Sequence, residues 1–211
     1  MSKDLLNPEK ALIFRIVHRN NLDGVLANGC LCRNAAVAHK YVEIGNQELI
    51  QRRTGRLIPC GPGGTLSDYV PFYFTPYSPM LYNIMTGYNG VPKKPVSEIL
   101  ILVSSLHKLK GVGISFVFSD RHAYLKTALF SDDLANLSWI IWPVLQERNF
   151  RKDDVDRFEK YQAEALVHWH VPLDALMGVV CYDQTVKSSV QADVAAKGLD
   201  LKVVAQREWY L

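Results

Sequence analysis

The feature that most limits how this chain can fold is a series of short, apolar, branched runs joined by connections that leave little room for alternating helices. Ala11 to Val17 (ALIFRIV), Glu98 to Ser104 (EILILVS) and Gly113 to Ser119 (GISFVFS) each have the length and composition of a buried strand. The polar turn between the second and third reads as too short for a helical crossover, so those two are expected to pair antiparallel. Further strands are expected around Tyr161 to Val167, at Val179 to Tyr182 and at Leu201 to Ala205. Helix signals are fewer. Asn20 or Asn21 can cap a short helix through Leu26, with Gly29 where a helix end wants a left-handed residue. Asn46 to Arg53 (NQELIQRR) reads as a second capped helix, its arginines at the end where the helix dipole favours cations. A third runs from about Asp183 to Lys197 and stops at Gly198. This distribution is α+β rather than an alternating βαβ pattern.

With 211 residues and 48% hydrophobic content the chain can bury one good core, and a single domain over 1–211 is expected. No apolar run approaches the roughly 18–20 residues of a membrane span. Met1 to Glu9 is polar and lacks a signal-peptide core, so a cytoplasmic location is expected. Cys30, Cys32, Cys60 and Cys181 lack zinc-site spacing, and His168 and His170 around Trp169 have no carboxylate or thiol at ligand distance in sequence. Reduced thiols and no metal are expected. The CGPGGT stretch at Cys60 to Thr65 lacks the Gly-x-Gly-x-x-Gly spacing and no strand leads into it, which excludes a Rossmann site.

The formal charge of +3 is concentrated between Arg33 and Arg56, where Arg33, Lys40, Arg52, Arg53 and Arg56 face only Glu43 and Glu48. Charge alone favours a solvated helix face over a track for a polyanion. Two polar residues stand out against apolar surroundings. Arg15 interrupts the first strand, and a strand that buries an arginine usually aims it at something. In Gln162-Ala163-Glu164 a strand would put Gln162 and Glu164 on one face. If that face is buried, Glu164 needs a partner; if the strand lies at an edge, it faces solvent. A glutamate beside a glutamine on a strand is the arrangement ADP-ribosyltransferases use. Breaking the nicotinamide–ribose bond of NAD⁺ develops positive charge on the ribose, which a fixed carboxylate stabilises. A basic group must also hold the pyrophosphate, and the helix ending at Arg53 can supply it.

The stretches GGTLSDYVPFYFTPYSPMLY (Gly63 to Tyr82), IQRR (Ile50 to Arg53), FVFSDRHA (Phe116 to Ala123) and QAEALV (Gln162 to Val167) closely resemble the DarT family. These are DNA ADP-ribosyltransferase toxins of bacterial toxin–antitoxin pairs. The resemblance runs from the Ala11 strand to the terminal REWYL. It implies an ADP-ribosyltransferase-like fold, a mostly antiparallel central sheet with flanking helices. The family's catalytic glutamate and arginine fall on Glu164 and Arg53, with Arg52 an exposed neighbour. Its NAD⁺ contacts fall on Arg15, Ile16, Val17, Gly24, Cys32 and Arg53, and its cofactor-covering element on about Val37 to Gly55. The substrate-binding loop region falls on about His122 to Glu164, with Tyr73, Met80, His122 and Arg157 shaping the DNA site.

Many relatives carry His where this chain has Arg15 and Thr where it has Val17. If the nicotinamide contact there is made by backbone, the second change is harmless; if by side chain, affinity suffers. Because guanidinium stays protonated, Arg53 is read as holding NAD⁺ and stabilising a base, while Glu164 orients the ribose and can itself take the proton. The resemblance implies transfer of ADP-ribose from NAD⁺ to a base, thymidine, in single-stranded DNA, without a metal. The aromatic stretch Tyr69 to Tyr82 suits base stacking, although at least half of Phe72, Phe74 and Tyr82 are expected in the core. The resemblance further implies a DarG-like macrodomain antitoxin and a monomeric toxin. Modification of another base, RNA or protein, NAD⁺ hydrolysis, and a silent nucleic-acid-binding module remain the alternatives. The last is disfavoured by the presence of both Arg53 and Glu164.

Overall fold

In the computed structural model, which describes residues 4–35 and 41–210, the first apolar run is strand β1 (Leu12–His18). It pairs antiparallel with β4 (Ile99–Ser105) along its whole length, from Leu12↔Ser105 to His18↔Ile99. Every residue of β4 is buried, and every residue of β1 except Arg15. These strands lie at the sheet centre with both faces covered, which is why their sequences show no polar alternation.

Around this pair the chain builds an eight-stranded sheet of order β10-β9-β4-β1-β3-β7-β5-β6. The other strands are β3 (Tyr69–Tyr73), β5 (Phe116–Ser119), β6 (Phe130–Ser131), β7 (Glu164–His168), β9 (Gly178–Cys181) and β10 (Val203–Ala205). All neighbours are antiparallel except β9 and β10, which are parallel. β2 (Cys30–Leu31) and β8 (His170–Val171) form a separate two-stranded ribbon. Helices α1 (Leu22–Asn28), α2 (Gln47–Arg53), α3 (Pro79–Thr86), α4 (Leu106–Gly111), α5 (Trp142–Gln146), α6 (Val155–Tyr161) and α7 (Gln184–Ala196) complete the α+β fold. α7 is the crossover that lets β9 and β10 run parallel. Asp183 caps its start by accepting from the Val186 amide, and Gly198 (φ 65°) follows its end.

Three expectations change. First, β4 and β5 do not pair: β1, β3 and β7 lie between them. Their connection is helical after all, because Ser105 accepts from the Lys108 amide as an N-cap and α4 buries Leu106 and Leu109. The chain leaves β4 through α4 and reaches the far side of the sheet, where β5 runs in the same direction as β4. Second, the strand expected from Tyr161 begins only at Glu164; Tyr161 ends α6, and Gln162 is its C-cap, its Nε2 donating to the Phe158 carbonyl. Gln162 and Glu164 therefore do not share a strand face. Third, Asn21 makes no side-chain cap for α1. Its amide instead donates to the Val42 carbonyl and accepts from the Val42 N–H, tethering the segment that leads to α2.

Strand β3 was hidden by its proline. β3 pairs with β7 from Tyr69↔His168 to Tyr73↔Glu164, but with β1 only at Phe14↔Tyr73. The Pro71 carbonyl points toward β1, where the Arg15 Nη1 donates to it at 2.8 Å. In a strand the N–H and C=O of one residue point the same way, so the missing proline donor faces the side where no ladder exists. The strand tolerates Pro71, and the gap it leaves against β1 is occupied by the one partly exposed residue of that strand.

Candidate active site

Glu164 opens β7, between β3 and β5 and far from a sheet edge, and is only 2% exposed. The edge-strand alternative is excluded, and the buried carboxylate has its partners. Arg53, the last residue of α2, forks onto it: Nη1 to Oε1 at 2.9 Å and Nη2 to Oε2 at 2.6 Å. The Ala123 amide donates to Oε1 at 3.0 Å. Such bidentate, charge-assisted pairing fixes position as well as charge. Burial alone would raise the Glu164 carboxyl; the Arg53 guanidinium and the hydrogen bonds from Arg53 and the Ala123 amide overcome it and hold it below the usual carboxylate range. Burial would likewise depress Arg53, and Glu164 reverses this, so the guanidinium is held more firmly protonated.

His122 lies against the same oxygen, Nδ1 to Glu164 Oε1 at 3.4 Å. Burial pushes its pKa below the ordinary 6.5 despite the pull of Glu164. The ring is therefore neutral at pH 7, and because the Tyr124 amide donates to Nδ1, its proton sits on Nε2. The contact with Glu164 is a close approach and not an ion pair. Opposite Glu164 on β3, the Tyr73 hydroxyl donates to Met80 Sδ at 3.5 Å. Burial, then Glu164, pushes the Tyr73 phenol far above its ordinary value, so it stays neutral.

These groups open into one cavity of about 1570 Å³. It exceeds the roughly 300–1,000 Å³ of an ordinary small-molecule site, enough for a dinucleotide beside a nucleotide of a strand. Arg15, Ile16, Val17, Cys32, Arg53, Tyr73, Met80, His122 and Glu164 all line it. Gly24 does not; it sits on α1 behind Tyr41, whose hydroxyl would lie 3.9 Å from an added Cβ. Arg157 does not either: its guanidinium pairs with Glu147 and donates to the Asn149 carbonyl, which turns it away from the cavity. Of the covering element, Tyr41 to Asn46 and much of α2 line the cavity, while residues 37–40 lie outside the described residues. Burial raises the Cys32 thiol, so this residue offers no thiolate at neutral pH.

The basic stretch is largely spoken for. Arg33 pairs with Glu43, Arg52 with Glu48 and Arg53 with Glu164. Arg56 donates to the carbonyls of Ala123 and Leu125, bracing the loop whose amide meets Glu164. Lys40 is outside the described residues. Of the aromatic stretch, Phe72 and Phe74 are fully buried while Tyr82 is 39% exposed and lines the cavity. The Ala123 contact left no trace in the sequence, since it is made by backbone. Among the described residues no three His, Cys, Asp or Glu side chains are grouped to hold a metal ion. Among them, too, no helix is long and apolar enough to cross a membrane.

A buried carboxylate locked to a helix-borne arginine, on an interior strand of a mostly antiparallel sheet and facing a cavity of dinucleotide size, defines an ADP-ribosyltransferase. The sequence model described as "ssDNA thymidine ADP-ribosyltransferase, DarT" matches residues 14–211. A DNA ADP-ribosyl transferase of Escherichia coli O127:H6 (strain E2348/69 / EPEC) is 47% identical over 208 residues, covering 97% of this chain and 95% of that one. The solved structure of Thermus sp. 2.9 DarT in complex with ADP-ribosylated ssDNA superposes with a TM-score of 0.90 at 33% identity, over 97% of this chain and 98% of that chain. The same protein in complex with NAD⁺ gives 0.82, over 97% and 99%. The chain belongs to the DarT family of NAD⁺-dependent DNA ADP-ribosyltransferases.

Proposed function

We propose that the Arg53–Glu164 pair is the catalytic centre of a toxin that transfers ADP-ribose from NAD⁺ to thymidine in single-stranded DNA. The observation that carries this reading is the buried bidentate pair at the mouth of β7, in the cavity shared by every sequence-assigned site residue except Gly24 and Arg157. NAD⁺ supplies the ADP-ribosyl group, whose glycosidic bond to nicotinamide breaks as a bond to the base forms and the base gives up its proton.

Glu164 stabilises the positive charge that builds on the ribose and accepts a hydrogen bond from its hydroxyl groups. Its lowered pKa makes it a weaker base than an ordinary carboxylate, so its first task is electrostatic and proton uptake is secondary. Arg53 keeps that charge in place through both of its Nη groups and holds the carboxylate at the cavity wall where the dinucleotide binds. Past Phe14, β1 is paired to β4 but not to β3, so alternate residues turn their backbone N–H and C=O groups toward the gap beside Arg15. Backbone groups of the Arg15 to Val17 stretch can thus hold a carboxamide, and the valine at position 17 costs little. Tyr73, Met80 and the neutral His122 shape the place of the reacting base beside Glu164; Gly24, Cys32 and Arg157 act, where they do, from the edges.

In this reading residues 1–211 form one transferase domain, active as a monomer in the cytoplasm, where NAD⁺ and exposed DNA strands meet. A DarG-like macrodomain antitoxin reverses the mark; the fold is shared with Thermosipho africanus DarTG in complex with ADP-ribose (TM-score 0.75, 17% identity). Mass spectrometry of thymidine-containing and thymidine-free oligonucleotides, RNA and protein after incubation with NAD⁺ tests the activity and its target together. An adduct confined to thymidine-containing single strands is expected. Labelling of RNA, protein or thymidine-free strands instead moves the target, and free ADP-ribose alone makes the protein a hydrolase.

A further inference from the structure

The same cavity has a wall that none of the catalytic residues explains. Tyr82 on α3 and Tyr88 in the turn after it meet edge to face at 6.2 Å between ring centroids, and Tyr82 meets Phe150 at 5.9 Å. Phe150 rests on the buried Tyr161 at 5.3 Å, so the cluster is anchored to α6. Yet Tyr82 is 39% exposed and Tyr88 47%, and both line the cavity with Phe150. Three fixed rings left open on a cavity wall are unlike a satellite core, which would close over itself.

A cation lies over this cluster: Lys152 Nζ is 5.0 Å from the Tyr88 ring centre. Arg148 stacks beside it on the buried Tyr77, Cζ 3.9 Å from that ring centre. Arg148, Arg151 and Lys152 all line the cavity, and among the described residues none has a carboxylate at ion-pair distance. The carboxylates of this stretch are engaged elsewhere: Glu147 with Arg157, Asp153 with the Asp154 amide, Asp154 with the start of α6, and Asp156 with Lys160 and Arg121.

We propose that Tyr82, Tyr88 and Phe150, with Lys152, Arg151 and Arg148, form a second base-binding subsite that stacks an unpaired base flanking the reacting nucleotide. The occupant follows from the pairing of exposed π-faces with uncompensated cations, which matches the alternating bases and phosphates of a single strand, and from continuity with the cavity of Glu164. The assignment rests on the reading of that cavity as the place where a strand is modified.

The test measures binding of a fluorescent single strand to the full chain without NAD⁺, so that it does not depend on turnover. Tyr88→Ala is expected to weaken binding about tenfold, within the range of losing one base–aromatic stack, and Tyr88→Phe to restore it. An abasic position beside the thymidine should cost the parent protein a similar factor and cost Tyr88→Ala almost nothing, as expected when both changes remove one contact. Lys152→Gln should flatten the salt dependence. Equal strand affinity of parent and Tyr88→Ala overturns the proposal. So does a Tyr88→Ala protein whose only defect is a raised KM for NAD⁺, which would give the wall to the dinucleotide. Strand binding of the expected pattern with no adduct on any substrate would leave the subsite standing and remove the transferase reading.

Discussion

Replacing Glu164 by Gln keeps the shape of the side chain and removes its charge. The amide can still accept from the Ala123 N–H and from one guanidinium nitrogen of Arg53, but its NH₂ then faces the other guanidinium donor. One charge-assisted bond is lost and Arg53 is left without its counter-ion. Breaking a fully buried pair costs about 3–5 kcal/mol. Arg53 is 17% exposed toward the cavity and can recover some hydration, so about 2–3 kcal/mol is the better figure here. For a chain of this size that lowers Tm by roughly 4–12 °C, which leaves the protein folded at 25 °C. The rate should fall much further, by about 10²-fold or more, because the carboxylate acts on a charge present only near the transition state. Initial rates of adduct formation on a thymidine oligonucleotide, read by mass spectrometry beside thermal unfolding, separate the two effects. A folded variant working within about tenfold of the parent would refute the electrostatic role. So would a rate loss that disappears when the comparison is made at equal distance below each protein's Tm.

The two adjacent arginines should part company. Arg53→Ala is expected to impair both NAD⁺ binding and turnover, whereas Arg52→Ala, which removes only an exposed i,i+4 pair with Glu48, should change stability by less than about 0.5 kcal/mol and leave KM for NAD⁺ alone; equal damage from both would mean a diffuse phosphate patch. Stability should fall with acid in two stages. The depressed His122 stays neutral in the fold while the unfolded chain takes up a proton below about pH 6.5, and the depressed Glu164 gives stability that is full above about pH 4.5 and lost as pH drops through its lower folded value. Unfolding curves from pH 8 to 3 (roughly this span) should show the later stage missing in Glu164→Gln, and an unchanged profile would contradict the pairing. Strand binding should have a shallow salt dependence, a log–log slope of about −2 if Arg148, Arg151 and Lys152 are the cations that meet phosphate. A slope twice as steep would bring the α2 arginines back as a phosphate track. Duplexes should be largely spared, since stacking hides the base, and equal modification of duplex and single strand would count against base transfer.

The parts of the fold that could be read from the sequence are those whose structure is decided locally or by burial on both faces. β1 and β4 announce themselves because a strand at the sheet centre can carry no polar alternation, and α2 and α7 because Asn46 and Asp183 cap them as such residues do anywhere. What failed was decided at a distance. Nothing between Ser105 and Phe116 says that three other strands will come between β4 and β5, and Pro71 forbids a strand only where its missing donor would have faced a ladder. The site divides along the same line. Arg15 and Glu164 were conspicuous because each is a charge in an apolar run, and burying a charge requires a reason that can be looked for. The Ala123 amide, the bracing of its loop by Arg56 and the choice of Arg53 over Arg52 depend on where α2 ends relative to β7, which no local pattern encodes. The charge count misled for a related reason: composition counts cations, but a polyanion meets only those not already paired. The structure spends Arg33, Arg52 and Arg53 on carboxylates and leaves Arg148, Arg151 and Lys152 facing the cavity, in a stretch whose sequence is rich in acids.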